Sequence, residues 1–108
     1  MKKINRIICC CGHGLGSSLL VRLNIENVLE ANGIKGISVE HASLSEIAPY
    51  RADLFIAGLD VVRTLKEYPR VIVLKDLISY EELENKLLKA LNSNEEKVWM
   101  WFEHLKNT

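Results

Sequence analysis

The sequence predicts an α/β fold: a four-stranded parallel sheet of order 2-1-3-4, doubly wound with helices on both faces. Three observations carry this. Short apolar runs at residues 4–10, 54–57 and 71–74 read as strands buried on both faces. Stretches with helical spacing separate them, as parallel strands joined by right-handed crossovers require. A glycine-rich stretch, Cys11-Gly12-His13-Gly14-Leu15-Gly16-Ser17-Ser18, links the first strand directly to the first helix.

The elements follow in order. Residues 4–10 form the first strand, interrupted only by Arg6. A helical pattern starts at Leu19, with Ser17 or Ser18 as its cap, and runs to about Asn32. Val21, Ile25, Val28 and Leu29 make its apolar face, Arg22, Glu26 and Glu30 line a polar stripe, and Gly33 stops it. Residues 36–42 alternate, with Ile37, Val39 and His41 on one side, as an edge strand does. Residues 44–51 make an irregular connection broken by Pro49, and the third strand ends at Gly58. Asp60 caps a short helix to about Glu67, Pro69 breaks it, and the fourth strand follows. Ser79 and Glu82 have capping-box spacing, opening a helix in which Leu83, Leu87 and Leu91 share a face.

With 108 residues and 12.3 kDa, the chain holds one domain, residues 1–92, and an aromatic tail, 93–108, expected to be helical. Fourteen basic residues balance fourteen acidic ones, which argues against nucleic acid or an anionic membrane as partner. The first apolar run is too short for a signal peptide, and no run is long enough to insert in a membrane, so a cytoplasmic location is expected. Cys9, Cys10 and Cys11 are adjacent, which suits reduced thiols and no disulfide framework. The scattered histidines have no metal-ligand spacing, and neither metal nor cofactor is expected.

The chemistry concentrates in the glycine loop. A strand ending in Cys11, followed by alternating glycines and two hydroxyls, gives backbone N–H groups that can turn inward around an anion at a helix N-terminus. The same donors stabilise a thiolate, making Cys11 the candidate nucleophile. Gly12, His13, Gly14, Leu15, Gly16, Ser17 and Ser18 form the candidate phosphate cradle. In the predicted sheet this loop lies at the topological switch point, and His41 and Asp60, at the ends of neighbouring strands, form a second ring. Three other readings exist. One is a structural turn around a buried cysteine. A dinucleotide site is opposed by Ser17, which stands where G-x-G-x-x-G needs its last glycine. A cysteine phosphatase needs an arginine six residues after its nucleophile, and that position is again Ser17. Without that guanidinium a phosphocysteine persists until an acceptor arrives, which suits a relay.

Cys11 to Ser18 after a first strand, Val39-Glu40-His41 in the second, and Leu74-Lys75-Asp76 after the fourth resemble enzyme IIB of the bacterial phosphoenolpyruvate-dependent sugar phosphotransferase system. The resemblance is placed with its ascorbate-type branch, ahead of the lactose/cellobiose- and galactitol-type branches, and covers about residues 4 to 90. It implies a phosphotyrosine-phosphatase-like P-loop and a phosphoryl carrier. Phosphate arrives from a phosphohistidine on a IIA partner, rests on Cys11 and passes to a sugar, ascorbate by this reading, held by a membrane IIC permease. The rivals are a cysteine-dependent phosphatase or reductase of small substrates and a non-catalytic regulatory module. His13 and the aromatic tail depart from the family pattern; His13 is either a phosphate ligand or a solvent-facing residue. The tail, with Trp99 and Trp101, either completes the core or meets a partner.

Overall fold

The computed structural model describes residues 4–11, 15–43, 52–59, 68, 70–92 and 98–100, and at 11, 15–18, 43 and 98–100 it describes the backbone. In chain order the elements are β1 (Arg6–Cys11), α1 (Leu15–Ala31), β2 (Ser38–Ser43), β3 (Leu54–Gly58), β4 (Arg70–Leu74), α2 (Tyr80–Leu91) and β5 (Val98–Met100). All strand pairs are parallel, in the order β2-β1-β3-β4-β5. The predicted 2-1-3-4 core is therefore present, with one further strand beside β4.

Strand parity sorts the core into two layers. Ile7, Cys9, Leu54, Ile56, Ile72 and Leu74 face α1 and α2, meeting Val21, Ile25 and Val28 from the first helix and Leu83, Leu87 and Ala90 from the second. Ile8, Cys10, Phe55, Ala57, Val71 and Val73 make the opposite layer, where Tyr68 packs edge-on against Phe55 with ring centroids 4.8 Å apart. Every residue of β3 and β4 is buried, which explains why both strands are apolar throughout rather than alternating. Each fully buried Leu or Ile here contributes about 1.5 to 3 kcal/mol of transfer free energy.

Both described helices cover the same face. The helix expected near residues 60–67, and the connection at 44–51, lie outside the described residues. The step from β1 to β2 runs toward one edge of the sheet and the step from β4 to β5 toward the other. Two connections that step in opposite directions behind one face have opposite hands, so one of them departs from the right-handed rule that holds in about 98% of cases.

Three sequence expectations are corrected. The first helix begins at Leu15, not Leu19, so Ser17 and Ser18 lie in its first turn instead of capping it. The first turn of a helix tolerates serine because its N–H groups need no intrahelical partner, which is why a loop-like composition is helical here. The tail was expected to be helical, but residues 98–100 form a strand, because pairing with the open edge of β4 satisfies their backbone. His41 does not end its strand: β2 continues to Ser43.

The turn after α1 is as the sequence predicts. Gly33, at φ +67°, donates its N–H to the Glu30 carbonyl at 3.1 Å, and Ile34 donates to Leu29 at 2.9 Å. This is a Schellman closure, and Ile34 packs against the core cluster that holds Leu29.

Candidate functional site

β1 is a central strand, flanked by β2 and β3, and the chain leaves it toward β2 on one side while β3 lies on the other. The crevice beyond its C-terminal end is the topological switch point of the sheet. Cys11 is the last residue of β1, and its register partner in β2 is Ser43. Cys10 is opposite Ala57, so Gly58 ends β3 level with the end of β1, and the exposed Leu59 follows. Four residues after Cys11, α1 begins at Leu15 and runs for 17 residues.

This arrangement puts the candidate nucleophile between a buried strand and the positive end of a helix macrodipole, equivalent to roughly half a charge. No acidic residue stands in the first turn of α1 to neutralise that potential. The first turn of α2, by contrast, carries Glu81 and Glu82. Among the sequence-predicted cradle, the backbone of Leu15, Gly16, Ser17 and Ser18 lies in the first turn of α1. Gly12, His13 and Gly14 lie outside the described residues, as does Asp60.

His41 is paired in register with Cys9, two positions before the end of β1, and is half-buried. It therefore stands below the mouth of the sheet, and the residue level with Cys11 on that side is Ser43, which the sequence reading did not single out. The signal was present: the alternation that defines β2 continues past Ala42 by one hydroxyl-bearing residue. Cys9 and Cys10 are in no disulfide, each is about 1% exposed, and the Cys9 thiol donates to the Glu40 carbonyl at 3.2 Å. Both are packing residues, as expected. Burial, and next the neighbouring Cys10, push the Tyr68 hydroxyl above its ordinary pKa.

The far side of the mouth is fixed by α2. Glu82 accepts hydrogen bonds from the backbone N–H groups of Lys75 at 2.7 Å and Asp76 at 2.9 Å, directly after β4. Ser79 caps α2 by accepting from the Glu82 N–H at 3.2 Å. The predicted capping box is thus half made, because the Glu82 carboxylate reaches past the cap to the strand end. Partial burial alone would raise the Glu82 pKa. The hydrogen bond from Lys86, those from the amides of Lys75 and Asp76, and the Lys86 charge outweigh it and hold the carboxyl below its ordinary range.

At the opposite end of the sheet, Asp53 accepts from the N–H groups of Asn5 at 2.8 Å and Arg6 at 3.1 Å. It sets where β1 begins, another role the sequence reading missed, since a lone aspartate before a strand carries no distinctive spacing. Among the described residues no group of three metal-ligating side chains occurs, and no helix is long and apolar enough to cross a membrane.

Residues 6–89 match the family model described as the lactose/cellobiose-specific IIB subunit of the PTS system. No curated protein sequence matches the chain significantly. The match upholds a IIB component and replaces the ascorbate-type branch with the lactose/cellobiose type. With more than half its length matched, the chain belongs to the lactose/cellobiose-specific IIB family of the sugar phosphotransferase system.

Proposed function

We propose that this chain is a phosphocysteine relay, with Cys11 as the residue that carries the phosphoryl group. What supports the reading most is one juxtaposition: Cys11 closes a central strand and, four residues on, a 17-residue helix begins with no acid in its first turn. The Cys11 thiolate attacks phosphorus of a phosphohistidine on a IIA component. An S–P bond forms, the P–N bond breaks, and the electron pair returns to the imidazole, which takes up a proton. In the second step a sugar hydroxyl held by a IIC permease attacks phosphorus, the S–P bond breaks, the thiolate is restored and the hydroxyl proton leaves to solvent. Between the two steps the phosphate dianion is held by the backbone N–H groups of Gly12 to Ser18, where each charge-assisted hydrogen bond contributes about 1.5 to 3 kcal/mol. The exchange takes place at the cytoplasmic face of the membrane.

Persistence of the intermediate also has support. Ser17 occupies the position where a cysteine phosphatase has its arginine. Arg22, the nearest arginine along α1, has its Nε 3.7 Å from Glu26, an i,i+4 pair on the helix surface. No guanidinium from α1 is therefore assigned to a hydrolytic transition state.

Intact-mass measurement tests the reading, after incubation with phosphoenolpyruvate, the general phosphotransferase proteins and a lactose/cellobiose-type IIA protein. A stoichiometric gain of one phosphoryl group, absent in Cys11→Ser, is expected. Labelling that survives Cys11→Ser refutes it, and multiple turnover of a small phosphoester by the isolated chain would favour a phosphatase.

A further inference from the structure

Beside the C-terminal end of α1 an open groove of about 400 Å³ runs between the helix, the turn that follows it and β2. That volume falls within the roughly 300 to 1,000 Å³ of ligand sites. Its floor is apolar, with Leu29 and Val39 buried and Ile34 and Ile37 half-buried, and its exposed rim carries Glu26, Glu30 and Lys35. The groove is far from Cys11, because Glu30 stands about 22 Å along α1 from Leu15 at 1.5 Å per residue. Two carboxylates one turn apart outnumber the single ammonium, and α1 ends here with no basic residue in its last turn, which adds about half a negative charge. Glu26 already has Arg22 Nε at 3.7 Å, whereas Glu30 makes no ion pair among the described residues. The same groove borders an open strand edge. β2 has β1 on one side only, and the Ser38 N–H donates to the Asn5 carbonyl at 2.9 Å, so alternation turns the backbone of Val39 outward. β2 carries neither proline nor lysine, the residues that commonly guard an exposed edge.

We propose that the edge of β2 at Val39 and the adjoining groove bind an extended segment of a partner protein, in which a branched apolar residue stands two positions from a lysine or arginine. The inference goes beyond the relay reading and does not depend on it. A strand added to a sheet edge gains affinity from its backbone and specificity from pockets that take alternate side chains. The Val39 side chain lies in the core cluster with Leu29 on the α1 face, so a strand paired at Val39 lays every second side chain over that face. The residue beside Val39 covers the floor of Leu29 and Ile37, which the branched apolar side chain fills. Two positions along, on the same face, the cation meets Glu30 at the rim. A small free amine would satisfy that carboxylate and leave the strand edge open. A second copy presenting its own β2 brings no lysine or arginine, since Ser38–Ser43 contains neither.

The test is a nuclear magnetic resonance titration of the full chain with a short synthetic peptide that alternates threonine with valine, isoleucine and lysine. Saturable amide shifts are expected at Val39 and along the turn 33–37, with none in the first turn of α1. The same peptide with proline at its centre should not bind, because the added backbone then lacks a donor to pair with β2. Glu30→Gln should raise the Kd about fivefold, the scale of one partly exposed ion pair, and its melting temperature should equal that of wild type because the side chain is exposed. No shift at Val39 overturns the proposal, as does equal binding of the proline peptide or an unchanged Kd in Glu30→Gln. Butylamine giving the same shifts would make the occupant a small cation, and a dimer of the chain alone in sedimentation, with Val39 at its interface, would make it a second copy; either result also overturns the proposal.

Discussion

Lys86 Nζ lies 2.7 Å from Glu82 Oε2, one turn apart on α2, and the same ammonium donates to the Val73 carbonyl at 2.7 Å. Glu82 also receives the amides of Lys75 and Asp76. Helix and strand end are thus joined by a largely buried ion pair in which Lys86 also binds the β4 backbone and Glu82 the two residues that follow it. This sets the pair apart from Arg6–Glu40, which is about half exposed on both sides and contributes little. Glu82→Gln keeps the shape of the side chain but removes its charge, so a loss of about 1 to 2 kcal/mol is expected in urea unfolding.

The pH dependence of that loss follows from the sign of the Glu82 shift. Its folded-state pKa is depressed below the ordinary value near 4.5, so its stabilisation is fully present above that value and is lost as pH falls through the folded-state value. Wild type and Glu82→Gln should therefore differ most at neutral pH and converge in acid. Denaturation curves measured at a series of pH values check this; a gap that stays constant into acid would mean that shape rather than charge holds the turn.

How much of this was legible in the sequence depends on whether the deciding interactions were local. β3 and β4 were readable from their unbroken apolar runs, and the end of α1 from Gly33, because each signal sits where it acts. The start of α1 was misplaced because Gly16, Ser17 and Ser18 have weak helix propensity and look like loop, although a helix built on Val21, Ile25 and Val28 carries them into its first turn. For the tail, Val98-Trp99-Met100-Trp101-Phe102 fits both helical and strand spacing, and what decides between them is a pairing with β4 some 28 positions away, Arg70 with Val98. The candidate site was read from Cys11 and its glycines; the alternation of β2 runs one residue past Ala42, but that Ser43 rather than His41 is level with Cys11 is set by the pairing register, which is not local.

Gly33→Ala tests the turn between α1 and β2. An added Cβ would meet nothing within 4 Å, so the cost is conformational alone: φ +67° is a backbone region that L side chains rarely adopt. A loss of about 1 kcal/mol is expected, with phosphoryl acceptance unchanged because the turn lies at the far end of α1 from Cys11. A melting temperature equal to wild type would show that the turn relaxes out of the left-handed conformation.

Of the three cysteines, Cys9 and Cys10 are each about 1% exposed in a central strand, and reagent reaches them only when the strand opens. On the relay reading Cys11 is accessible and activated. Titration with a chromogenic disulfide is expected to show one fast thiol in the native protein and three after denaturation, with the fast one missing in Cys11→Ser. Two fast thiols would contradict the buried packing of β1, and none would contradict an accessible Cys11.

Removing residues 93–108 separates the tail from the core. β5 meets β4 over three register positions, and of the two opposite-handed connections it belongs to the one that ends in the shorter strand; the other joins two six-residue strands through α1. Its ladder hydrogen bonds contribute about 0.5 to 1.5 kcal/mol each, and fixing each residue costs about 1 to 2 kcal/mol of backbone entropy, so the net holding energy is small. The truncated chain is therefore expected to fold, with a midpoint within about 1 to 2 kcal/mol of wild type, and to accept phosphate normally, since β5 is separated from β1 by β3 and β4. Both tryptophans, Trp99 and Trp101, lie in the deleted segment, so in the intact protein tryptophan emission reports the tail alone while far-ultraviolet dichroism reports the helices. Emission should change at a lower temperature than dichroism. Coincident transitions together with an unfolded truncated chain would instead make the tail part of the cooperative core, because loss of a weakly held edge strand cannot unfold β1, β3 and β4.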